Sequence, residues 1–375
     1  MGPTDSYSRH VQTVVDRLTG SSDRVMVLDL PALMRTILRL SPAPITPVSQ
    51  CWRDAAAELA LFARAAVARL RVARERLKSG DVTPLKVDEV YEYLRRNGSG
   101  DHPLTRDPEW AEYLWALPPI TDPRTRYAHL SLLATIQWEI AKHPDLIGIE
   151  HIIVDEAQDV TPLEWMLLAT INEAHAWTII GDLNQRRSDH TFGSWKQVFE
   201  LLAIPYGDPP ICRLDRGYRS TRPILRFANR LLPAAQRSVR ALQEDGPEPV
   251  VEKCQSGLDA ALIRQLHRLR HAYPTGTVAI ITMKPTEVQA ALRREGWGKA
   301  GGDTVVWQHA EHGEVTVAHP NVARGLEFDA VIVVEPADFP QNLGRHGLLY
   351  TALTRANREL VVLHTKPLPD KLRKR

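Results

Sequence analysis

One stretch limits the fold more than any other: Ile152-Ile153-Val154 runs straight into Asp155-Glu156-Ala157-Gln158-Asp159. A run of β-branched apolar residues is expected to form a buried strand of a parallel sheet packed between helices. Ligands of such sheets gather at the carboxyl ends of the strands, so a strand that stops at two adjacent acids delivers carboxylates to that edge. There one acid can hold Mg²⁺ and its neighbour can polarise a water against a phosphate. The plainer alternative is an ordinary acidic turn; the residues further along the chain weigh against it.

Before this strand the pattern is helical. Asp29 can cap a helix with Pro31 in its first turn and Leu33, Met34, Ile37 and Leu38 on one face, broken by Pro42, Pro44 and Pro47. A long helix is expected from about Trp52 to Lys78, ending at Gly80, with Leu59, Phe62, Ala66 and Leu70 on one side. Its second half carries Arg64, Arg69, Arg71, Arg74, Arg76 and Lys78, either a solvated face or a ridge for nucleic acid or a partner. Another helix spans about Val87–Arg96 and stops at Gly98, and 97–107 reads as a loop. Asp122-Pro123 opens a helix with Tyr127, Leu130, Leu133, Ile136 and Ile140, closed by Pro144.

From Leu146 the period changes. Strand 150–154 leads to the acids, and Thr161-Pro162-Leu163-Glu164 has the capping-box pattern with proline at the first helical position. A second buried strand, 177–180, ends at Gly181-Asp182-Leu183-Asn184-Gln185. Strand, helix and strand make a parallel crossover, which is expected to put Asp155, Glu156 and Gln185 on one rim. The Pro- and Gly-rich stretch 203–210 reads as a linker. Beyond it we expect a strand at 211–214, a helix capped by Thr221 with Ile224, Leu225, Ala228 and Leu232 inward, and a polar loop over 236–255. Helix 258–271, strand 277–282, helix 286–294, strands near Val305 and at 315–317, strand 330–334, helix 347–356 and strand 359–364 complete an alternating α/β order.

The formal net charge is only +2, so nucleic-acid contacts must come from local patches. Cys51, Cys212 and Cys254 have neither metal-ligand spacing nor an even framework, which suits a reducing cytoplasm. The stretch 1–20 is polar and mixed in charge, unlike a signal peptide, and no apolar run approaches the roughly 20 residues of a membrane span.

Asp-Glu-Ala-Gln at 155–158, Gly-Asp-x-x-Gln at 181–185, Tyr-Arg-Ser at 218–220, Gly-Leu-Glu-Phe-Asp at 325–329 and Tyr-Thr-Ala-Leu-Thr-Arg-Ala at 350–356 occur in that order. This series resembles superfamily 1 helicases of the UvrD/Rep type over about residues 146–365. The resemblance implies an α/β protein with two RecA-like parallel-sheet domains, the first incomplete (146–205) and the second at 211–375, behind a helical region, 1–145. It implies an ATP site in a cleft between two α/β domains. Asp155 would ligate Mg²⁺ and Glu156 would orient and deprotonate the attacking water. Gln185 would sense the γ-phosphate, Tyr218 would stack on adenine, and Glu327 would bond the ribose, with Gly325 in the same nucleotide-binding set. Arg219 and Arg355 would act as arginine fingers, or alternatively as interdomain ion pairs. DNA, single-stranded or at a duplex junction, is the implied partner.

Two stretches depart from the usual pattern. After Gln185 the chain reads Arg186-Arg187-Ser188-Asp189-His190-Thr191-Phe192-Gly193-Ser194-Trp195, without the usual segment that touches single-stranded DNA. The later stretch 315–325 is long, and Arg324 stands where a lysine is usual. Both, with the ending at 361–369, resemble the HelD/HelR branch, whose members remodel RNA polymerase. The 375 residues hold no Gly-x-x-x-x-Gly-Lys-Ser/Thr loop; the one Gly-Lys pair, Gly298-Lys299, has Arg293 in place of the first glycine and is followed by Ala300. Three explanations stand open: a fragment or a misplaced start, one half of a split enzyme whose loop comes from another polypeptide, or a partner protein that no longer hydrolyses ATP.

Overall fold

The computed structural model describes residues 11–17, 25–41, 51–76, 84–98, 102–122, 125, 128–205, 211–214, 216–234, 237, 240–255, 257–300, 306–323, 325–340 and 347–373. The expected features at Pro42, Pro44, Pro47, Lys78, Gly80, Pro123, Tyr127, Val305, Arg324 and most of the 203–210 linker lie outside them. The chain forms two compact units. Unit 1 comprises Met1–Asp182 with Asp189–Pro209, and unit 2 comprises Leu183–Ser188 with Pro210–Arg375.

In unit 1 a short helical stretch at 11–17 precedes helix α1 (Leu30–Leu38), whose cap Asp29 accepts from the Ala32 amide at 2.6 Å and whose Leu33, Met34 and Ile37 are buried. The long helix of the sequence reading divides in two: a 3-10 turn, Trp52–Ala55, precedes α2 (Glu58–Arg76). Helix α3 (Val87–Arg95) follows. Helix α4 (Pro108–Ala116) was not foreseen, although Asp107 accepts from the Glu109 and Trp110 amides as an N-cap should. Helix α5 (Leu130–Ile140) is apolar nearly all round because it serves two cores. Leu132, Leu133 and Ile136 face the core of α2–α4, while Leu130, Ala134 and Trp138 face the core under the first sheet.

That sheet pairs β1 (Ile152–Val154) in parallel with β2 (Trp177–Ile179). Between them runs α6 (Pro162–Ile171), and its capping box forms as expected: Thr161 and Glu164 each accept from the other's amide. Helix α7 (Trp195–Leu201), capped by Ser194, was also not foreseen. The expectation of strands buried on both faces is corrected. Ile152 and Val154 enter the core with Trp165, Leu168 and Phe199, whereas Ile153 is 53% exposed. Among the described residues helices cover one face of this two-stranded sheet.

Four arginines of α2 have acceptors inside unit 1. Arg64 pairs with Glu139 at 3.0 Å, Arg69 reaches the His102 and Pro103 carbonyls, and Arg74 pairs with Glu89 at 2.5 Å. Arg71 donates at 2.8 Å to the Glu139 and Ile140 carbonyls, capping the end of α5.

Unit 2 is built on a seven-stranded sheet whose order from edge to edge is β5 (Val250–Lys253), β11 (Ala356–His364), β10 (Phe328–Val334), β6 (Val278–Thr282), β9 (Gly313–Ala318), β8 (Val306–His309) and β7 (Gly298–Lys299). Its parallel part comprises β5, β6, β9, β10 and β11. The short β7 and β8 extend it antiparallel. Successive residues of the central strands feed opposite cores, as a strand's period of two requires. Ile281, Val331, Val333 and Val362 lie under α8 (Arg222–Ala228) and α11 (Gly347–Leu353), and Ile280, Ile332, Val334 and Val361 lie under α9 (Leu258–Ala272) and α10 (Pro285–Arg294).

Three local readings are corrected. Residues 211–214 form no strand, and Leu214 is exposed; instead β3 (Arg216–Gly217) pairs with β4 (Arg240–Ala241). The expected loop 236–255 contains β5, an edge strand whose Glu252 and Lys253 hide its character. Helix α11 ends at Leu353, because Ala356 already begins β11. No helix among the described residues is long and apolar enough to cross a membrane.

Candidate functional site

In unit 1 the acids stand where β1 ends. Glu156 has φ +54°, the left-handed region that costs a side-chain-bearing residue roughly 1–2 kcal/mol, so the backbone is bent at the acid itself. The turn is held by the strands: the Ile180 amide donates to the Val154 carbonyl at 2.8 Å, and the Ala157 amide to the Ile180 carbonyl at 2.9 Å. Asp155 Oδ1 accepts from the Glu156 amide at 2.8 Å. Gln158, buried, is the hub. Its Nε2 donates to Glu156 Oε2 at 2.5 Å and its Oε1 accepts from the Asp182 amide at 2.9 Å, tying the Asp-Glu-Ala-Gln turn to Gly-Asp-x-x-Gln. Gly181 lies against this contact: a Cβ there would sit 2.5 Å from Gln158 Oε1 and 2.8 Å from Trp195 Cη2. Gln158 received no role from the sequence, although it belongs to the quartet itself.

Asp155 and Glu156 are half-buried, which suits a cation bound by one or two carboxylates and completed by water and phosphate oxygens. Among the described residues no group of three or more His, Cys, Asp or Glu could hold a metal without such help. A glycine-rich phosphate loop and its lysine are not among the 375 residues, so the fit extends to the acids and not to the phosphate cradle.

Unit 2 gathers the remaining motif residues. Arg355 is buried; one guanidinium nitrogen donates to Gln185 Oε1 at 3.1 Å and another to the Leu326 carbonyl at 3.3 Å. The Gly-Asp-x-x-Gln motif is thus shared, with Gly181 and Asp182 counted in unit 1 and Gln185 in unit 2. The Phe328 amide donates to the Arg355 carbonyl at 3.0 Å, Ser220 Oγ to the Thr354 carbonyl at 3.3 Å and the Thr221 amide to the Asn357 carbonyl at 3.2 Å. These bonds lock the Tyr-Arg-Ser, Gly-Leu-Glu-Phe-Asp and Thr-Arg-Ala segments to one another. Arg219 forms an ion pair with Glu327. Tyr218 presents an exposed ring, and its segment is fixed by the Leu242 amide donating to the Gly217 carbonyl at 2.8 Å. Gly325 has φ +71°, a conformation that glycine adopts without cost. At Gly347 a Cβ would collide with the Arg186 carbonyl oxygen, so the start of α11 touches the backbone beside Gln185.

The two stretches that depart from the usual motifs meet inside unit 2, where Arg187 donates to Asn321 Oδ1 at 3.3 Å. Burial, and then the Arg187 charge, hold the His319 pKa below the usual imidazole range.

The comparisons with known proteins agree with this motif order. Residues 321–363 match the model of the UvrD-like helicase C-terminal domain. ATP-dependent DNA helicase UvrD2 of Mycobacterium tuberculosis is 32% identical over 142 residues, covering 34% of this chain and 20% of that protein. DNA helicase IV of Escherichia coli is 26% identical over 245 residues, covering 59% of this chain and 34% of that protein. The probable DNA helicase of Mycoplasma pneumoniae is 28% identical over 247 residues, covering 58% and 44%. The chain therefore spans between a fifth and under half the length of these relatives. By its ordered motifs and by these matches the chain is similar to the UvrD/Rep-like superfamily 1 helicases.

Proposed function

We propose that the chain carries the water-activating and charge-neutralising part of an ATP-driven DNA translocase, either a strand-separating helicase or an RNA polymerase-remodelling ATPase of the HelD/HelR kind, working in the cytoplasm. The observation that supports this most is the bonding of Arg355 to Gln185, with two further motif segments tied around it. A carboxamide whose oxygen accepts from an arginine offers its NH₂ end as a donor, which suits Gln185 to sense a terminal phosphate. Arg355 and Arg219 supply fixed positive charge for the transferred phosphoryl group. Tyr218 offers a face for adenine, and Glu327, which holds Arg219, can reach the ribose when that arginine turns to phosphate. In unit 1 Glu156, aimed by Gln158, takes the proton of the attacking water, and Asp155 would hold Mg²⁺, which would offset phosphate charge.

Thermal stabilisation by ATP tests the reading, because a ligand stabilises the fold in proportion to the logarithm of its concentration over Kd. The expected result is a small, saturable rise in Tm with MgATP that Tyr218→Ala removes, and almost no turnover by this chain alone. Absence of any nucleotide effect would overturn it. Robust turnover, lost on Glu156→Gln, would show that the phosphates are cradled by residues other than a glycine-rich loop. The second reading, a binding module independent of ATP, relied on the arginine ridge of α2. The internal acceptors of Arg64, Arg69, Arg71 and Arg74 weaken it. RNA polymerase binding that ignores nucleotide would favour it.

A further inference from the structure

Helix α8 turns Pro223, Ile224, Phe227 and Ala228 into the core and Arg222 and Arg226 outward, and the 3-10 turn that continues it adds Arg230. These arginines recur every four residues, so they form a row on one helix face with about 6 Å of rise between neighbours. They line a surface cavity of about 610 Å³, which Arg237 also lines, with Glu244 as the acid in the wall. Four guanidinium groups against Glu244 in the wall and Glu248 beside Arg226 make a concave, net positive surface on a chain whose net charge is only +2.

The existing partners of these groups are weak. Arg222 lies 4.0 Å from Glu244, and Arg226 pairs with Glu248 in an exposed ion pair. Such pairs contribute at most about 1 kcal/mol and exchange readily for a better anion. Arg230 packs its guanidinium over the Phe227 ring at 5.2 Å, and Arg237 is oriented by its Nε donating to the Leu232 carbonyl at 3.0 Å. Two of the four are therefore positioned without using all their donors on protein.

We propose that this cavity is a binding site for the phosphate backbone of a single nucleic-acid strand, with Arg222, Arg226 and Arg230 engaging successive phosphates. A regularly spaced row fits a repeating polyanion better than a lone anion, and guanidinium is the side-chain group best matched to phosphate. The site needs no ATP, so it stands or falls separately from the reading of the nucleotide motifs.

The test is fluorescence anisotropy of a labelled oligo-dT on the full chain without nucleotide, across a salt series. Loss of three phosphate contacts should flatten the log–log salt slope by about 2, since each contact on a single strand contributes roughly 0.7. The triple variant Arg222→Gln, Arg226→Gln, Arg230→Gln should bind at least about tenfold more weakly at low salt. The opposite change guards against a folding defect: Glu244→Gln with Glu248→Gln frees the arginines and should tighten binding and steepen the slope. Unchanged affinity and slope in both sets would overturn the proposal. So would binding of free ATP or inorganic phosphate that these arginines control while oligo-dT ignores them.

Discussion

At the scale of single residues the acidic turn depends on Gln158. Its two hydrogen bonds point in opposite directions, to Glu156 and to the Asp182 amide, so it cannot yield to a new neighbour without breaking one of them. That is why position 181 must be glycine. Gly181→Ala forces a methyl against Gln158 and the Trp195 ring and should destabilise unit 1 by about 1–3 kcal/mol in urea melts. Gln158→Ala removes both bonds, the one to Glu156 and the one from the half-buried Asp182 amide, at a similar cost. The double variant should lose less than the sum, because the second change removes one of the atoms that the first collides with. Full additivity would mean that the Trp195 contact alone excludes the side chain. The motif spelling showed that both positions matter. It did not show why, because the two residues are 23 positions apart in the chain and the contact is made through space.

At the scale of elements the capping box of α6 was readable from four letters, and it carries a pH dependence that they do not show. Burial raises the Glu164 pKa above its usual value of 4.5, against the lowering effect of the bonds from Thr161 and Ser131. A carboxyl whose pKa is higher folded than unfolded keeps its proton longer in the folded state. Its contribution is therefore greatest below pH 4.5 and is lost as pH rises through the folded pKa. Glu164→Gln keeps an acceptor for the Thr161 amide without a charge. The Tm difference between variant and parent should move in the variant's favour from pH 4.5 to pH 7; a difference that stays flat would show that the carboxyl ionises in place without penalty. Elements with a local signal are legible in the same way: Asp29 with Pro31, the four apolar residues that open β6, the run that forms β10. Those missed had their reason elsewhere. β5 is a strand because β11 offers it an edge, and 211–214 is not one because no strand among the described residues pairs with it, although its residues look more strand-like. Helix α4 was the avoidable omission, since Asp107-Pro108 is the same opening as Asp122-Pro123.

At the scale of the molecule the two units differ in how completely their sheets are built. β10 is flanked by β11 and β6, and its residues feed helices on both faces. β1 and β2 are three residues each, and Ile153 is open to solvent. Opening free energies follow local burial and hydrogen bonding, so one fold holds regions that exchange at very different rates. Amide hydrogen exchange should therefore be slowest at residues 278–282, 330–334 and 359–363 and markedly faster at 152–154 and 177–179. The Arg355 motif would then sit on the stable sheet, while Asp155 and Glu156 sit on the one that opens more easily. Nucleotide that engages the acids should slow exchange at 152–158 and leave the centre of the large sheet almost unchanged, because protection there is already limited by opening of the whole unit. Equal exchange in the two sheets without nucleotide would remove this asymmetry, and with it the expectation that ATP orders the acidic turn.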